Sequence, residues 1–151
     1  DGGQLLAFGA GPSATVAADV VFRFRALGVR TAGVQDHESA MIAARLMAPG
    51  DVMVLVSSTG RTATTLAVAD AAAGAGATVV AVTNRYGTPL ADAADLVLAV
   101  GGPALTTQMA AAGSRIAHLT VVDVLAAMLV LAEPERRRTA ELAGVDLPDI
   151  F

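Results

Sequence analysis

A chain of 151 residues has the length of one ordinary domain, and 54% hydrophobic residues are ample for its core. Ten basic residues against 14 acidic ones, a net charge of −4, exclude the electropositive footprint that binding a phosphate backbone requires. The absence of cysteine excludes disulfides, thiol nucleophiles and cysteine-ligated metal.

Short apolar runs alternate with longer Ala-rich stretches, the rhythm of βαβ units feeding a parallel sheet. In chain order the pattern predicts a strand over Gln4–Phe8, a helix over Ser13–Leu27, a strand over Val29–Val34 and a helix over His37–Met47. A strand over Val52–Val56, a helix over Thr62–Ala75, and strands over Ala77–Val82 and Asp95–Val100 follow, then a long helix over Leu105–Ala132. The last three strands are continuous β-branched and aliphatic runs, as expected when helices cover both faces of a parallel sheet. Helix ends are expected at Gly28, at Pro49 and Gly50, and at Gly74 and Gly76.

The stretch "LTVVDVLAAMLVLA", Leu119 to Ala132, is the most apolar in the chain. No segment runs about 18 apolar residues without a Gly, Pro or charge, so no membrane partner is expected. Asp123 within that stretch, with Arg115 and His118 before it, marks a buried helix, and a dimer interface would account for its excess of apolar residues. The tail mixes Glu133, Glu135 and Glu141 with Arg136, Arg137 and Arg138, the pattern of one solvated helix face. No internal repeat or linker interrupts the chain, so one domain over residues 1–151 is expected. No secretory leader is visible, which makes the cytoplasm the expected compartment, and a start at Asp1 rather than methionine leaves room for a preceding segment.

In open α/β sheets, ligands bind beyond the carboxyl ends of the strands, where successive connections diverge. Two loops belong there: "FGAGPSA" after strand one and "SSTGRT" after strand three. Each leads directly into a helix and so offers backbone N–H donors and the positive end of a helix dipole to an anion. In the first loop, Gly9, Gly11 and Ala14 fit the G-x-G-x-x-A spacing of dinucleotide-binding folds, with Asp36 at the end of strand two. Pro12 removes one N–H, however, and Asp36 lies beyond the expected separation of about 20 residues. A tight turn with Ser13 as helix cap accounts for the same residues, and both readings stand.

The second loop is more demanding. One hydroxyl suffices for a helix cap, whereas "SSTGRT" supplies Ser57, Ser58, Thr59 and Thr62. A buried hydroxyl left unpaired costs about 1–3 kcal/mol. A phosphate can accept several O–H and N–H hydrogen bonds at once, and Gly60 lets the backbone approach it. No Gly-Lys-Ser/Thr is present, which excludes a P-loop, and the cluster is read as a monophosphate site.

With these motifs in place the chain resembles the SIS (sugar isomerase) domain family. "GAGPS" is similar to its G-x-G-x-S loop, and "SSTGRT" to its S-x-S-G-x-T phosphate loop with Thr59 in place of the second serine. The likeness continues through "GATVVAVTNRYGTPLADAADLVLAV", Gly76 to Val100, with the family's strand-four threonine, the turn after it and the aspartate that opens strand five. "DHESAMIAARLMAPGDVMVLVSSTGRT" and "SRIAHLTVVDVLAAM" resemble the sensor domain of RpiR-type transcriptional regulators, which join an N-terminal helix-turn-helix to a C-terminal SIS domain that binds a phosphosugar.

The resemblance implies an α/β fold, a three-layer sandwich around a five-stranded parallel sheet ordered 2-1-3-4-5. It implies that Ser57, Thr59 and Thr62 hold the phosphate with backbone N–H groups near Gly60, and that Gly11 and Ser13 close the other side. Ser58 occupies the variable position of the motif. It further implies a phosphosugar effector, a homodimer or higher homo-oligomer, DNA contact only through a separate N-terminal domain, and a role in regulating carbohydrate metabolism.

Isomerisation of a phosphosugar needs a base to move a proton between adjacent carbons. His37, Glu38 and His118 are the candidates. His37 and Glu38 follow strand two on the ligand side, where they are read as sugar contacts rather than catalysts; Asp36 as helix cap, with both as ordinary first-turn polar residues, accounts for the same stretch. In this family the last helix, and with it His118, can reach a neighbouring subunit's site. Arg115 could face the phosphate or an acidic partner, Arg61 is expected in solvent, and Asp123 is read as a buried carboxylate that must find a donor. Two histidines separated by most of the chain give no zinc-type spacing, so no metal, cofactor or catalytic residue is assigned.

Overall fold

The computed structural model describes residues 3–101 and 107–145. The β-branched and aliphatic runs form five strands, β1 (Leu5–Gly9), β2 (Thr31–Gly33), β3 (Val52–Val56), β4 (Thr78–Thr83) and β5 (Leu96–Ala99). All neighbours pair in parallel, in the order β2-β1-β3-β4-β5. The stretches between and after them form α1 (Ala14–Ala26), α2 (His37–Arg45), α3 (Ala63–Gly74), α4 (Pro89–Asp92), α5 (Thr107–Ala132) and α6 (Glu135–Leu142).

Side chains alternate across a strand, and here both faces are apolar. Leu6, Phe8, Met53, Leu55, Val79 and Ala81 point to one side, where they meet Ala40 and Ala44 of α2, Val68, Ala69 and Ala72 of α3, and Leu90 of α4. Leu5, Ala7, Val54, Val56, Val80 and Val82 point to the other, against Val16 and Val20 of α1 and Val122 of α5. The sandwich therefore has three layers, and its small residues let α2 and α3 approach the sheet closely. Because α1 and α3 lie on opposite faces, the connections diverge between β1 and β3. The register sets Gly9 opposite Val56 and Val56 opposite Val82, so the three central strands finish level and their loops begin side by side.

The structure departs from the sequence pattern in a few places. The edge strand β2 is shorter than Val29–Val34, because the Val29 N–H turns back to the Phe24 carbonyl at 3.0 Å to close α1 rather than joining the sheet. Gly76 adopts the left-handed φ of 84° expected after α3, whereas Gly74 is the last residue of that helix. The turn after β4 contains a one-turn helix, α4, capped by the Thr88 hydroxyl accepting the Ala91 N–H at 3.3 Å. The expected start of the last helix at Leu105 lies outside the described residues.

In α6 the arginine run is not simply solvated: Arg136 turns inward, donating to the Leu27 carbonyl and to Glu133, both at 2.8 Å. A buried α5 is also corrected. Ser114, His118, Val122 and Ala126 are buried along one face, while Ile116, Val124, Met128 and Leu131 are exposed along the other. By length and composition Ala112–Ala132 would suffice to cross a membrane, yet one face seals the sheet and Asp123 pairs with Arg23 of α1 at 2.6 Å.

Candidate functional site

The β3 strand delivers Ser57 into the divergence point with only 3% of its surface exposed. Its N–H still belongs to the sheet, bonded to the Val82 carbonyl at 3.0 Å, so the side chain is fixed by the ladder behind it. Ser57 Oγ accepts the Gly60 N–H at 3.1 Å and shares a hydrogen bond with Thr62 Oγ1 at 3.2 Å. Three members of the predicted cluster thus converge. Ser58 is half-buried and lends its carbonyl to the Asn84 N–H at 3.2 Å, whereas Thr59 is exposed and its hydroxyl accepts the Arg61 N–H at 3.3 Å.

Gly60 lies under a strict constraint. Its φ is 62°, and a Cβ there would overlap the Thr88 hydroxyl and lie 3.2 Å from Thr83 Oγ1. Its carbonyl accepts the Leu90 N–H at 3.0 Å, which ties the loop to α4. Thr83 and Thr88 are both buried and form the floor on which the loop rests.

The helix starts at this end of the sheet fall into two kinds. Asp36 caps α2 by accepting the Ser39 N–H at 2.8 Å, which holds its carboxyl below the usual range, and Thr88 caps α4. At the divergence point Thr62 and Ser13 stand at the N-cap positions of α3 and α1, yet neither side chain caps its helix. At α3 the first-turn N–H groups have no capping side chain, which is the arrangement an anion fills; at α1 the preceding turn already supplies acceptors, the Ala10 carbonyl for the Ser13 N–H at 3.2 Å and the Gly11 carbonyl for the Ala14 N–H. Ser13 as helix cap is therefore corrected. Ahead of it, Gly11–Ser13 forms a 3-10 turn, with Gly11 exposed and Ser13 half-buried.

The remaining predicted residues are spread more widely. His37 and Glu38 are exposed in the first turn of α2, beyond the edge strand on the same end of the sheet. Asp36 is committed to its helix, which weakens the dinucleotide reading that needed it for a ribose. Arg61 is exposed, as expected. Asp123 is not buried: its side chain is 45% exposed, and the donor it finds is Arg23.

The resemblance let His118 reach a neighbouring subunit's site, but the residue is 1% exposed inside its own chain, against the Thr83 carbonyl. Burial pushes it below its ordinary pKa, with that carbonyl acting in the opposite direction. Near it, Asn84 donates its side-chain amide to Ser114 Oγ at 2.8 Å. Thr65 Oγ1, Thr83 Oγ1, Asn84 Oδ1 and His118 Nε2 are buried without a hydrogen-bond partner among the described residues. Thr65, Thr88 and Asn84 escaped assignment to the site; for Asn84 and Thr88 the signal was the polar stretch "TNRYGT" at the end of a buried strand, and Thr65 carried none.

The sheet order, the opposed α1 and α3 and the paired loops define a doubly wound α/β domain whose crevice opens between β1 and β3. The chain belongs to the SIS domain family, whose model matches residues 1–128. It is 34% identical over 116 residues to the HTH-type transcriptional regulator RpiR of Escherichia coli (strain K12), covering 77% of this chain and 39% of the regulator. It is 37% identical over 119 residues to the bifunctional protein glk of Paraburkholderia xenovorans (strain LB400), covering 79% of this chain and 18% of that protein. The chain thus spans less than half the length of either relative. Among solved structures, the Vibrio vulnificus NanR protein complexed with ManNAc-6P matches with a TM-score of 0.87 at 26% identity, over 95% of this chain and 54% of NanR.

Proposed function

We propose that this chain is the phosphosugar-sensing domain of an RpiR-type transcriptional regulator of carbohydrate metabolism, acting in the cytoplasm as a homodimer. One observation carries the reading: α3, which opens at the divergence point, is uncapped although the Thr62 hydroxyl stands beside it, while α2 and α4 are capped. A phosphate monoester would take the α3 N–H groups and the Ser57, Thr59 and Thr62 hydroxyls, with Ser58 and the Gly60 backbone shaping the loop. Gly11 and Ser13 would face it from β1, and His37 and Glu38 would meet sugar hydroxyls. The similarity to RpiR and to NanR, whose structure holds ManNAc-6P, supports both the ligand class and the regulatory setting. DNA contact belongs to a separate N-terminal domain, in keeping with the net charge of −4.

Sensing is favoured over turnover by the placement of the acid-base groups. His118 Nε2 is covered, and His37 and Glu38 stand in solvent. Binding would act by favouring one of two dimer arrangements.

The test is a thermal-shift series with ManNAc-6P, other sugar phosphates and the unphosphorylated sugars, alongside Ser57→Ala and Thr62→Ala. A ligand at 100 times its Kd stabilises by about 2.7 kcal/mol. Stabilisation by a phosphorylated sugar that both variants lose is the expected result, with no aldose–ketose conversion by NMR. Equal stabilisation by sugars with and without phosphate, or variants that respond like the wild type, would overturn the site.

A further inference from the structure

We propose that Asn84 is a positioning residue that transmits occupancy of the phosphate loop to α5 through its hydrogen bond to Ser114; the inference rests on the phosphosugar reading of that loop. Asn84 follows the last residue of β4 and is gripped from three sides. Its N–H donates to the Ser58 carbonyl at 3.2 Å, inside the loop. Its side-chain amide donates to Ser114 Oγ at 2.8 Å, on the buried face of α5. Gly101 closes over its main chain so tightly that a Cβ on that glycine would lie 2.9 Å from both Asn84 Cβ and the Asn84 carbonyl oxygen. A loop that rearranges around a phosphate shifts the Ser58 carbonyl and pulls on the Asn84 peptide. With Gly101 blocking the main chain, the displacement passes to the side chain and so to Ser114.

The adjoining contacts run the same way. Thr83 underlies Gly60 with its hydroxyl and presents its carbonyl to His118, one turn along α5 from Ser114. Among the described residues this seam is incompletely paired: Asn84 Oδ1, Thr83 Oγ1 and His118 Nε2 are buried without partners. Two acceptors and a hydroxyl left over give the seam a second set of pairings to move into, which close-packed apolar contacts would not offer. The opposite face of α5 carries the exposed Ile116, Val124, Met128 and Leu131, so a change in the helix's seating reaches the surface proposed to meet a second copy.

Hydrogen-exchange mass spectrometry on the chain, with and without saturating inorganic phosphate and with ManNAc-6P in a second arm, tests the link. In the wild type, ligand should slow exchange at residues 57–62 and change exchange within α5 by about fivefold or more, the low end for coupled sites. In Ser114→Ala and Asn84→Ala, each of which removes the bond between the two side chains, protection at the loop should persist while the α5 response to ligand drops below about twofold, and the double variant should lower that response no further than either alone. A merely structural bond would raise α5 exchange equally with and without ligand; an unchanged ligand response in the variants therefore overturns the link. Loop protection without any α5 response in the wild type overturns it as well. Absence of loop protection in the wild type with both ligands removes the phosphate reading and the link together.

Discussion

His118 shows how much the position of a single side chain changes what it can do. On the sequence it is a histidine in an apolar helix; in the fold it is 1% exposed, with the Thr83 carbonyl beside it and Nε2 unpaired. Burial favours the neutral imidazole, so the folded chain takes up a proton at lower pH than the unfolded chain does. Between the ordinary histidine value of about 6.5 and the depressed folded value, the unfolded state binds more protons, and stability falls as pH falls. Denaturant midpoints measured from pH 7.5 down to 5.5 should decline in the wild type and stay flatter in His118→Gln. Equal slopes would mean that the imidazole is already hydrated or charged in the folded state. The carboxylates with lowered values, Asp36 and Asp51, titrate below that window. The pairing of Ser57 with Thr62 was legible because both stand on one short loop, whereas Thr59 on the same loop is exposed. Asn84 and Thr88 were not legible, because they reach the loop from the neighbouring strand, of which spacing carries no record; Thr83 entered only through the family resemblance. Asp123 was misread for a related reason: apolar residues surround it along the chain, whereas its carboxylate lies beside Arg23 of another helix.

Helices and strands were mostly legible, since each depends on its own periodicity, and the errors fall where a contact from elsewhere decides the outcome. β2 loses its first residues to the closure of α1, and the Arg136 side chain is drawn from α6 to the end of that same helix. Leu27, almost fully buried, follows the last turn of α1, and its carbonyl would be left short of a donor without the guanidinium. A cation placed there also complements the negative end of the helix dipole. The Glu133 pair should add little, because its side chains are 25% and 43% exposed. Arg136→Ala should therefore cost about 1–3 kcal/mol, mostly from the lost bond to the carbonyl. Arg136→Lys should recover only part of this, because one ammonium cannot reproduce the fork that engages Glu133 and Leu27 together. Urea denaturation of the three proteins decides it: an alanine variant as stable as the wild type would make the contact an incidental surface pair.

For the molecule as a whole, the unanswered demand is the outer face of α5. Its inner face closes the sandwich over Val54, Val56, Val80 and Val82, so the helix is already fully used as a layer of the fold. Ile116, Val124, Met128 and Leu131 then recur at helical spacing on the outside, with exposures of 51% to 68%. A stripe this regular on one helix is what a second helix packs against, and two copies related by a twofold axis would bury it against itself. The same stripe made the sequence read as more deeply buried than this chain alone makes it, because periodicity records that a face is apolar but not which molecule covers it. Val124→Glu combined with Met128→Glu should convert the proposed dimer to a monomer in sedimentation equilibrium. The melting temperature of that monomer should match that of the wild type diluted to the monomeric state, since neither side chain contributes to the intrachain core. A wild type that sediments as a monomer at all concentrations, or a double variant that remains dimeric, would place the contact elsewhere, and the route from the phosphate loop through Asn84 and Ser114 would then end at a free surface rather than at a partner.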